Sequence, residues 1–311
     1  MNIQMILEET MINNIPNFLY HLLIEQYGEN LTNTILEGYS QKRPVTLRAN
    51  TLKADITDIK NIFDKLQISY KEVSWYKDAL ILENTSEDQI KNLEIYQNGE
   101  IYLQSLSSMI PPLVISPKEN ENILDMAAAP GSKTTQMLAL SQNKAFITAC
   151  EKNKIRAERL QYNLNKQGAN RVNVMIKDAR QLDDFFSFDK VLLDAPCSGS
   201  GTISIFDKKL ESTFTEDLVN RSSKVQHDLL KKAITLLKPG HEMVYSTCSI
   251  LAKENENILR KFIDFKQLEI LPIDVSIFSD AILLPTSIEG TLCIGPSDLY
   301  EGFFVAALRK L

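Results

Sequence analysis

The chain has little cysteine and no pattern to it. Four residues in 311, Cys150, Cys197, Cys248 and Cys293, show no C-x-x-C pair and no regular spacing. That argues against a disulfide-stapled scaffold or a zinc cluster, and it suits a reducing cytosol. No apolar stretch is long enough to cross a bilayer. No basic residue precedes Lys42, and Glu8 and Glu9 stand where a signal peptide would carry positive charge, so the expected location is cytoplasmic. No internal repeat and no low-complexity tract is present. Nor is there an overall surplus of basic residues, since the net charge is −6. What remains is ordinary for a soluble globular protein, with 44% hydrophobic and 24% charged residues. The length suits two domains, or one large domain with an extension.

The charge is unevenly distributed. Between positions 152 and 182 lie Lys152, Lys154, Arg156, Arg159, Lys166, Arg171, Lys177 and Arg180, opposed only by Glu158 and Asp178. Such a patch could hold phosphates even on an acidic protein, or it could be a solvated helix face.

The N-terminal third predicts two helices within residues 1–40, with Gly28 or the Gly38 turn as stops, and then a small α+β module. Strands are expected at 45–51, 68–73, 79–82 and 101–103, with helices at 56–66 and 87–93. A connecting helix at 105–113 should be broken by Pro111-Pro112. The polar run at 116–122 marks the boundary. Beyond it strands at 123–125, 145–150, 172–176, 190–194 and 242–247 alternate with helices at 133–140, 154–166, 215–237 and 253–265. That alternation predicts a doubly wound parallel sheet, with the final apolar run at 303–308 closing it as an edge strand.

Chemistry concentrates at strand ends. Val191-Leu-Leu193 reads as a buried strand that delivers Asp194, and Pro196-Cys197 then opens a small-residue loop. A second strand, Met243 to Thr247, ends in the same way at Cys248. Open α/β sheets bind ligands at such carboxyl ends. The first loop of this region, Asp125-Met-Ala-Ala-Ala-Pro-Gly-Ser-Lys133, joins strand to helix; its small residues allow a ligand close to the backbone and to the helix start. It is neither a P-loop nor G-x-G-x-x-G, so nucleotide phosphates are not indicated. Asp125, Glu151, Asp178 and Asp194 stand at four successive strand ends. Acceptors there suit a ligand with ribose hydroxyls, an adenine amine and a cationic centre, which describes S-adenosylmethionine.

Three motifs make a resemblance visible. The segments Asp125-Met-Ala-Ala-Ala-Pro-Gly-Ser-Lys-Thr134, Asp194-Ala-Pro-Cys-Ser-Gly-Ser-Gly201 and Tyr245-Ser-Thr-Cys-Ser249 together resemble the Nop/Sun family of RNA cytosine-5 methyltransferases. Arg48-Ala-Asn-Thr-Leu52, the segment 104–112, Glu254-Asn-Glu256 and Gly302-Phe-Phe-Val-Ala306 match as well, so the resemblance covers nearly the whole chain. The detail of the first loop is similar to the bacterial RsmB/RsmF-like branch, RsmF-like above all, which acts on small-subunit ribosomal RNA. The resemblance implies an α/β fold, a Rossmann-like class I methyltransferase domain on a mostly parallel seven-stranded sheet. Residues 119–311 would form it, and 1–118 would hold N-terminal helices and a small α+β RNA-recognition module. It implies S-adenosylmethionine as cofactor, bound by Ala127, Ala128, Ala129, Pro130, Gly131, Ser132, Lys133, Glu151, Asp178 and Asp194. It also implies Cys248 as nucleophile, with Cys197 assisting release and Asp194 at the base edge. RNA is the expected partner, ribosomal in preference to transfer RNA, with no membrane, no metal and a monomeric state.

Two departures stand out. The usual Lys-Pro-Gly-Gly before the last catalytic strand is Lys238-Pro-Gly-His241 here. The chain also ends soon after the final family strand, which predicts the absence of the further RNA-binding domain that RsmF-like enzymes carry.

The chemistry explains the residue types. C5 of cytosine is too electron-poor to take a methyl group until a thiolate adds at C6. A free cysteine, with a pKa of about 8.5, needs help to form that thiolate. The target base must also leave its stack. Among the residues, position alone could not rank Cys197 against Cys248. Cys150 and Cys293 read as inert packing, and His21 and His227 as helix-face residues. Lys133 would touch cofactor, orient the Pro-Cys loop, or merely begin a helix, and Trp75-Tyr76 would stack on a base or pack the small module. Other readings are a DNA cytosine methyltransferase with Cys197 as nucleophile, a non-catalytic RNA-binding assembly factor, and a thiol oxidoreductase.

Overall fold

The computed structural model describes residues 14–311. Whatever the expected N-terminal helices place on residues 1–13 lies outside them. Helix α1 (Asn17–Tyr39) is continuous except at Gly28, whose φ of 74° kinks it, so the glycine expected to stop a helix bends one instead. A small antiparallel sheet follows, with strands β1 (Val45–Ala49), β2 (Tyr70–Glu72), β3 (Ala79–Leu82) and β4 (Ile101–Leu103) in the order β2-β3-β1-β4. Helix α2 (Ile56–Lys65) begins at an Asp55 cap and lays Ile59 and Phe63 against Leu47, Leu80 and Leu82. Helices α3 (Glu87–Lys91) and α4 (Glu94–Gln97) close this module, the first through a Ser86–Gln89 capping box.

Helix α5 (Leu106–Ile115) contains Pro111 and Pro112 without breaking, against the expectation from sequence. Both prolines are buried. Ile110 and Met109 beside them pack on Met137 and Leu138, and that packing outweighs the missing backbone donors.

The large sheet has strands β5 (Asn122–Asp125), β6 (Phe146–Cys150), β7 (Val172–Met175), β8 (Phe188–Asp194), β9 (Leu237–Thr247), β10 (Leu268–Leu271), β11 (Leu292–Ile294) and β12 (Phe303–Lys310). Their order is β10-β12-β9-β8-β5-β6-β7, with β11 paired to β12. The run from β9 to β7 is parallel, and β12 is antiparallel to both its neighbours on that path. Seven strands thus form the mostly parallel sheet that the resemblance implies. The crossovers are α6 (Ser132–Leu140), α7 (Lys154–Gln167), α9 (Glu216–Leu236) and α10 (Glu256–Asp264), with a short α8 (Leu210–Thr213).

The alternation of β8 sets the two faces. Val191 and Leu193 join Leu19, Leu23, Leu230 and Ala233 on one side, and Leu192 joins Met137, Leu160 and Leu164 on the other. A strand covered on both faces reads as an unbroken apolar run. The same logic corrects the final strand. β12 is not at the edge: it inserts between β9 and β10, and Phe303 to Ala306 are all buried. The short β10 and β11 carried too little pattern to be expected. Helix α9 stops at Leu236, and β9 starts at the next residue, so Pro239 and Gly240 lie within the strand's first half rather than in a separate turn. Gly240 takes a φ of 74°, and His241 Nδ1 bonds the Asp189 carbonyl oxygen at 3.0 Å.

Candidate active site

Strand order reverses at β5, with β6 on one side and β8 on the other. That is the switch point at which open sheets leave a crevice. β8 and β9 are parallel neighbours with Asp194 opposite Ser246. Cys197 and Cys248 each lie shortly beyond those paired positions, so the two loops leave the sheet side by side. Their Sγ atoms stand 2.9 Å apart across 51 residues of chain. Backbone bonds tie the loops together: the Ala195 amide donates to Ser246 O at 2.7 Å and the Gly201 amide to Cys248 O at 2.9 Å. Gly201 also accepts from the Gly302 amide at 2.7 Å, a backbone approach that a side chain would block.

Asp194 is held on both oxygens. Lys133 Nζ lies 2.7 Å from Oδ2, and Ser246 Oγ donates to Oδ1 at 2.8 Å. The Lys133 ammonium also donates to Ser108 Oγ at 2.7 Å and lies over the Phe303 ring. Of the roles open to Lys133, orienting the strand end that leads into the Pro-Cys loop is therefore present in the geometry.

Ala127, Ala128, Ala129, Pro130, Gly131, Ser132 and Lys133 form the turn from β5 into α6. No side chain caps that helix, and Gly131, with φ 104°, packs against Leu160. The turn is braced from outside by Arg156, which donates to Ala129 O, and by Asn163, which donates to Pro130 O. Asp125 is buried and accepts from Thr134 Oγ1 at 2.7 Å; burial pushes its carboxyl up to about 6. Glu151 is buried too, taking the Asn153 amide at 2.8 Å and facing Arg156 at 3.4 Å. Asp178 is gripped by Arg180 through both oxygens, at 3.0 and 2.7 Å, which holds its carboxyl below the usual range. That grip leaves Asp178 less free to meet a ligand than a bare strand-end acid would be.

The four cysteines differ in exposure, Cys197 and Cys248 being half-buried. Cys150 and Cys293 are buried, and burial raises the Cys150 thiol to about 12 and the Cys293 thiol as well. Cys197 is also raised, first through its contact with Cys248, then through burial and neighbouring negative charge. Trp75 packs on Phe278 and donates to Tyr300 Oη at 2.8 Å, so packing takes it rather than a base. Part of the basic stretch is tied up internally, with Arg180 on Asp178 and Lys166 over the Tyr96 ring. Lys152, Lys154, Arg159 and Lys177 remain exposed.

Several residues at this site had no role in the sequence reading. Gln26 donates to Ile250 O at 3.0 Å and accepts from the Ala252 amide at 2.9 Å; Tyr27 also donates to Ile250 O. Tyr39 Oη donates to Ser200 O at 2.5 Å. Helix α1 therefore holds both cysteine loops, one before and one after its Gly28 kink. Arg48, fully buried on β1, donates to Gln104 Oε1, Ser132 O and Thr135 Oγ1, which fastens the small sheet to α6. Glu254 ties together the residues that follow the two thiols. Arg48 and Glu254 lie in segments that match the resemblance, which was the available signal; α1 offered none.

Comparison with known proteins bears on the family and the fold. A family model described as 16S rRNA methyltransferase RsmB/F matches residues 112–309, and the RsmF/B-like ferredoxin-like domain matches residues 15–87. The ribosomal RNA small subunit methyltransferase F of Shewanella oneidensis is 32% identical, covering 96% of this chain and 64% of that protein. Its counterpart in Shewanella sp. strain ANA-3 is 34% identical, covering 92% of this chain and 63% of its own length. The chain thus spans about three fifths of the length of these relatives. Among solved structures, a methyltransferase homologue from Pyrococcus horikoshii superposes with a TM-score of 0.84 at 31% identity, covering 97% of this chain and 98% of that one. The NSun6 of the same organism, solved with SFG, shares the fold at 23% identity and a TM-score of 0.84, covering 96% and 99% of the two chains. With a family model matching most of its length and this fold behind it, the chain belongs to the RsmB/F family of 16S rRNA methyltransferases.

Proposed function

We propose that this chain methylates C5 of a cytosine in RNA, with ribosomal RNA as the substrate and S-adenosylmethionine as the methyl donor. The observation that carries this reading is the pair of thiols 2.9 Å apart at adjacent strand ends, beside the Lys133–Asp194 pair. Residues 1–118 act as the RNA-recognition module and 119–311 as the methyltransferase domain.

The residues present fit the cofactor. The turn Ala127 to Lys133 presents an uncapped helix start, and Glu151 offers a buried acceptor suited to ribose hydroxyls. Asp194 completes the set, and Asp178 joins it where Arg180 yields one of its oxygens. When bound, S-adenosylmethionine supplies an electrophilic methyl group on a sulfonium sulfur.

Cys248 adds through Sγ to C6 of the cytosine, and the displaced electron pair makes C5 the nucleophile. Asp194, steadied by Lys133 and Ser246, accepts from the cytosine amino group, and with a proton shared with N3 it stabilises the charge that develops there as the adduct forms. Once C5 carries its methyl group, a base such as water takes the C5 proton, the C–H electron pair restores the C5–C6 double bond, and the Cys248 sulfur leaves as a thiolate. Cys197, whose thiol is raised, lies 2.9 Å from that sulfur and assists the release by donating its S–H to the departing thiolate.

The test is bisulfite sequencing of ribosomal and transfer RNA from cells with and without the protein, together with tritiated methyl transfer to the unmethylated RNA. Loss of one ribosomal cytosine methylation is expected. A lost site in transfer RNA instead would move the substrate, and no incorporation into any RNA would favour an RNA-binding factor without turnover.

A further inference from the structure

Two loops from different strands must hold two sulfurs against one ring, and backbone hydrogen bonds alone leave their tips free to shift. Beside Ser200, whose Oγ lies 2.8 Å from Ser249 Oγ and accepts from the Ile250 amide at 3.0 Å, the charged side chain that spans those tips is Glu254, at the end of the short turn Ala252–Glu254 that precedes α10. It is fully buried. Its Oε1 accepts from the Ser198 amide at 2.7 Å and from Gln226 Nε2 at 3.3 Å. Its Oε2 accepts from Ser198 Oγ at 2.5 Å and from Ser249 Oγ at 2.6 Å. Ser198 follows Cys197, and Ser249 follows Cys248. One carboxylate therefore joins the residue after each thiol.

Every partner of that carboxylate among the described residues is neutral. Burying an acid without a cation is costly, and four donors are what make it tolerable. A neutral amide would satisfy fewer of them. The same turn is pinned from the sheet, because Tyr245 Oη donates to Glu254 O at 2.6 Å. Asn255, the next residue, accepts from Thr247 Oγ1 at 2.6 Å and donates to Ser249 O at 2.8 Å, on either side of Cys248.

We propose that Glu254 is the positioning residue that locks the Cys197 and Cys248 loops to each other, so that both sulfurs address one cytosine ring. This rests on the methyltransferase reading above. Glu254 reaches no reacting atom itself; it acts through Ser198 and Ser249. A second consequence follows from its charge, which is one of the influences that raise the Cys197 thiol.

The test compares the full chain with its Glu254→Gln and Glu254→Asp variants in two measurements. In the first, iodoacetamide alkylation of each cysteine is followed by peptide mass spectrometry across pH. Glu254→Gln is expected to move the Cys197 profile to lower pH, while the buried Cys150 and Cys293 stay as unreactive as in the wild type. A Cys197 profile and a Cys248 alkylation rate that both superimpose on the wild type would overturn the proposal, since neither the surroundings nor the placement of the two thiols would then depend on Glu254. In the second, tritiated methyl transfer to unmethylated total RNA should lose about 100-fold in kcat, as a displacement of order 1 Å at reacting groups does, with the KM for S-adenosylmethionine within about twofold. An unchanged kcat, or a loss confined to KM, would overturn it. If Glu254→Gln exposes Cys150 and Cys293, both readings pass to Glu254→Asp, which keeps the charge but withdraws it by one methylene. There an unchanged kcat counts against the proposal and a reduced one supports it. A wild type that methylates no RNA would sink the functional reading, and the alkylation profiles would still decide the role of Glu254.

Discussion

Lys133 Nζ and Asp194 Oδ2 lie 2.7 Å apart, joining the first turn of α6 to the end of β8. The pair couples the loop expected to hold cofactor with the loop that carries Cys197. Both side chains are mostly withdrawn from water, at 11% and 26% exposure, so removing one partner leaves an ill-compensated charge. Lys133→Met keeps the aliphatic stem and removes the ammonium. It should cost about 2 kcal/mol, less than a fully buried pair because Asp194 keeps some solvent. Urea unfolding reads that loss, and methyl transfer should fall more steeply than stability does. Full activity in this variant would show that the pair has no part in orienting Asp194.

The two thiols should separate in a trapping experiment. With RNA containing 5-fluorocytosine, Cys248→Ala should form no covalent adduct visible as a gel shift. Cys197→Ala should still form one, and with ordinary RNA it should retain an adduct that the wild type releases. The reverse pattern would make Cys197 the nucleophile.

Gly201 has no room for a side chain. A Cβ there would lie 1.9 Å from Gly302 O and 2.4 Å from Gly302 C, backbone atoms that cannot swing aside. Gly201→Ala must push the Pro-Cys loop away from the segment entering β12, breaking the 2.7 Å bond from the Gly302 amide. A destabilisation of about 3 kcal/mol is expected, in the range of severe steric insertions. Thermal unfolding with an unchanged midpoint would contradict the close approach.

Helix α1 should matter to the site although it carries no reacting group. Tyr39→Phe removes the one hydroxyl that donates to Ser200 O and leaves that buried carbonyl without it, at about 1–3 kcal/mol. Gln26→Ala removes one of the two donors to Ile250 O, Tyr27 keeping the other, and frees the Ala252 amide at the other cysteine loop. The double variant should lower kcat more than either single change. Strict additivity in kcat would mean that the two loops do not move together.

Asp125 gives the chain a pH signature. Its folded value, pushed up to about 6, exceeds the unfolded value near 3.9, so the folded chain binds that proton more tightly. The associated stability is fully present below about pH 4 and is lost as pH rises through about 6. Asp125→Asn cannot ionise and should gain on the wild type over that window, by up to about 3 kcal/mol. Urea midpoints at about pH 4.5 and 7.5 measure it, in the same sense as the linkage argument. A stability difference that does not change with pH would remove burial as the dominant influence on this group.

The strand-to-helix alternation, the strand ends bearing Asp194 and Cys248, and the loop Ala127 to Lys133 were legible from residues 1–311 alone. Each depends on neighbours within a few positions: an apolar run, a small-residue turn, a helix start. Even the pairing of Cys197 with Cys248 was an inference from two similar strand ends. Other features needed the folded chain. Phe303–Lys310 has the composition of any buried strand, and nothing within it says that it enters between β9 and β10 rather than at an edge. Pro111 and Pro112 break helices by local rule, yet here they sit inside one because burial against α6 outweighs propensity. Gln26, Tyr39, Arg48 and Glu254 are ordinary polar residues until contacts spanning 56 to 224 positions give them partners. Local order follows from backbone sterics and side-chain period, which the sequence carries directly. The hold on the two sulfurs follows from which surfaces meet, and only burial of the whole chain decides that.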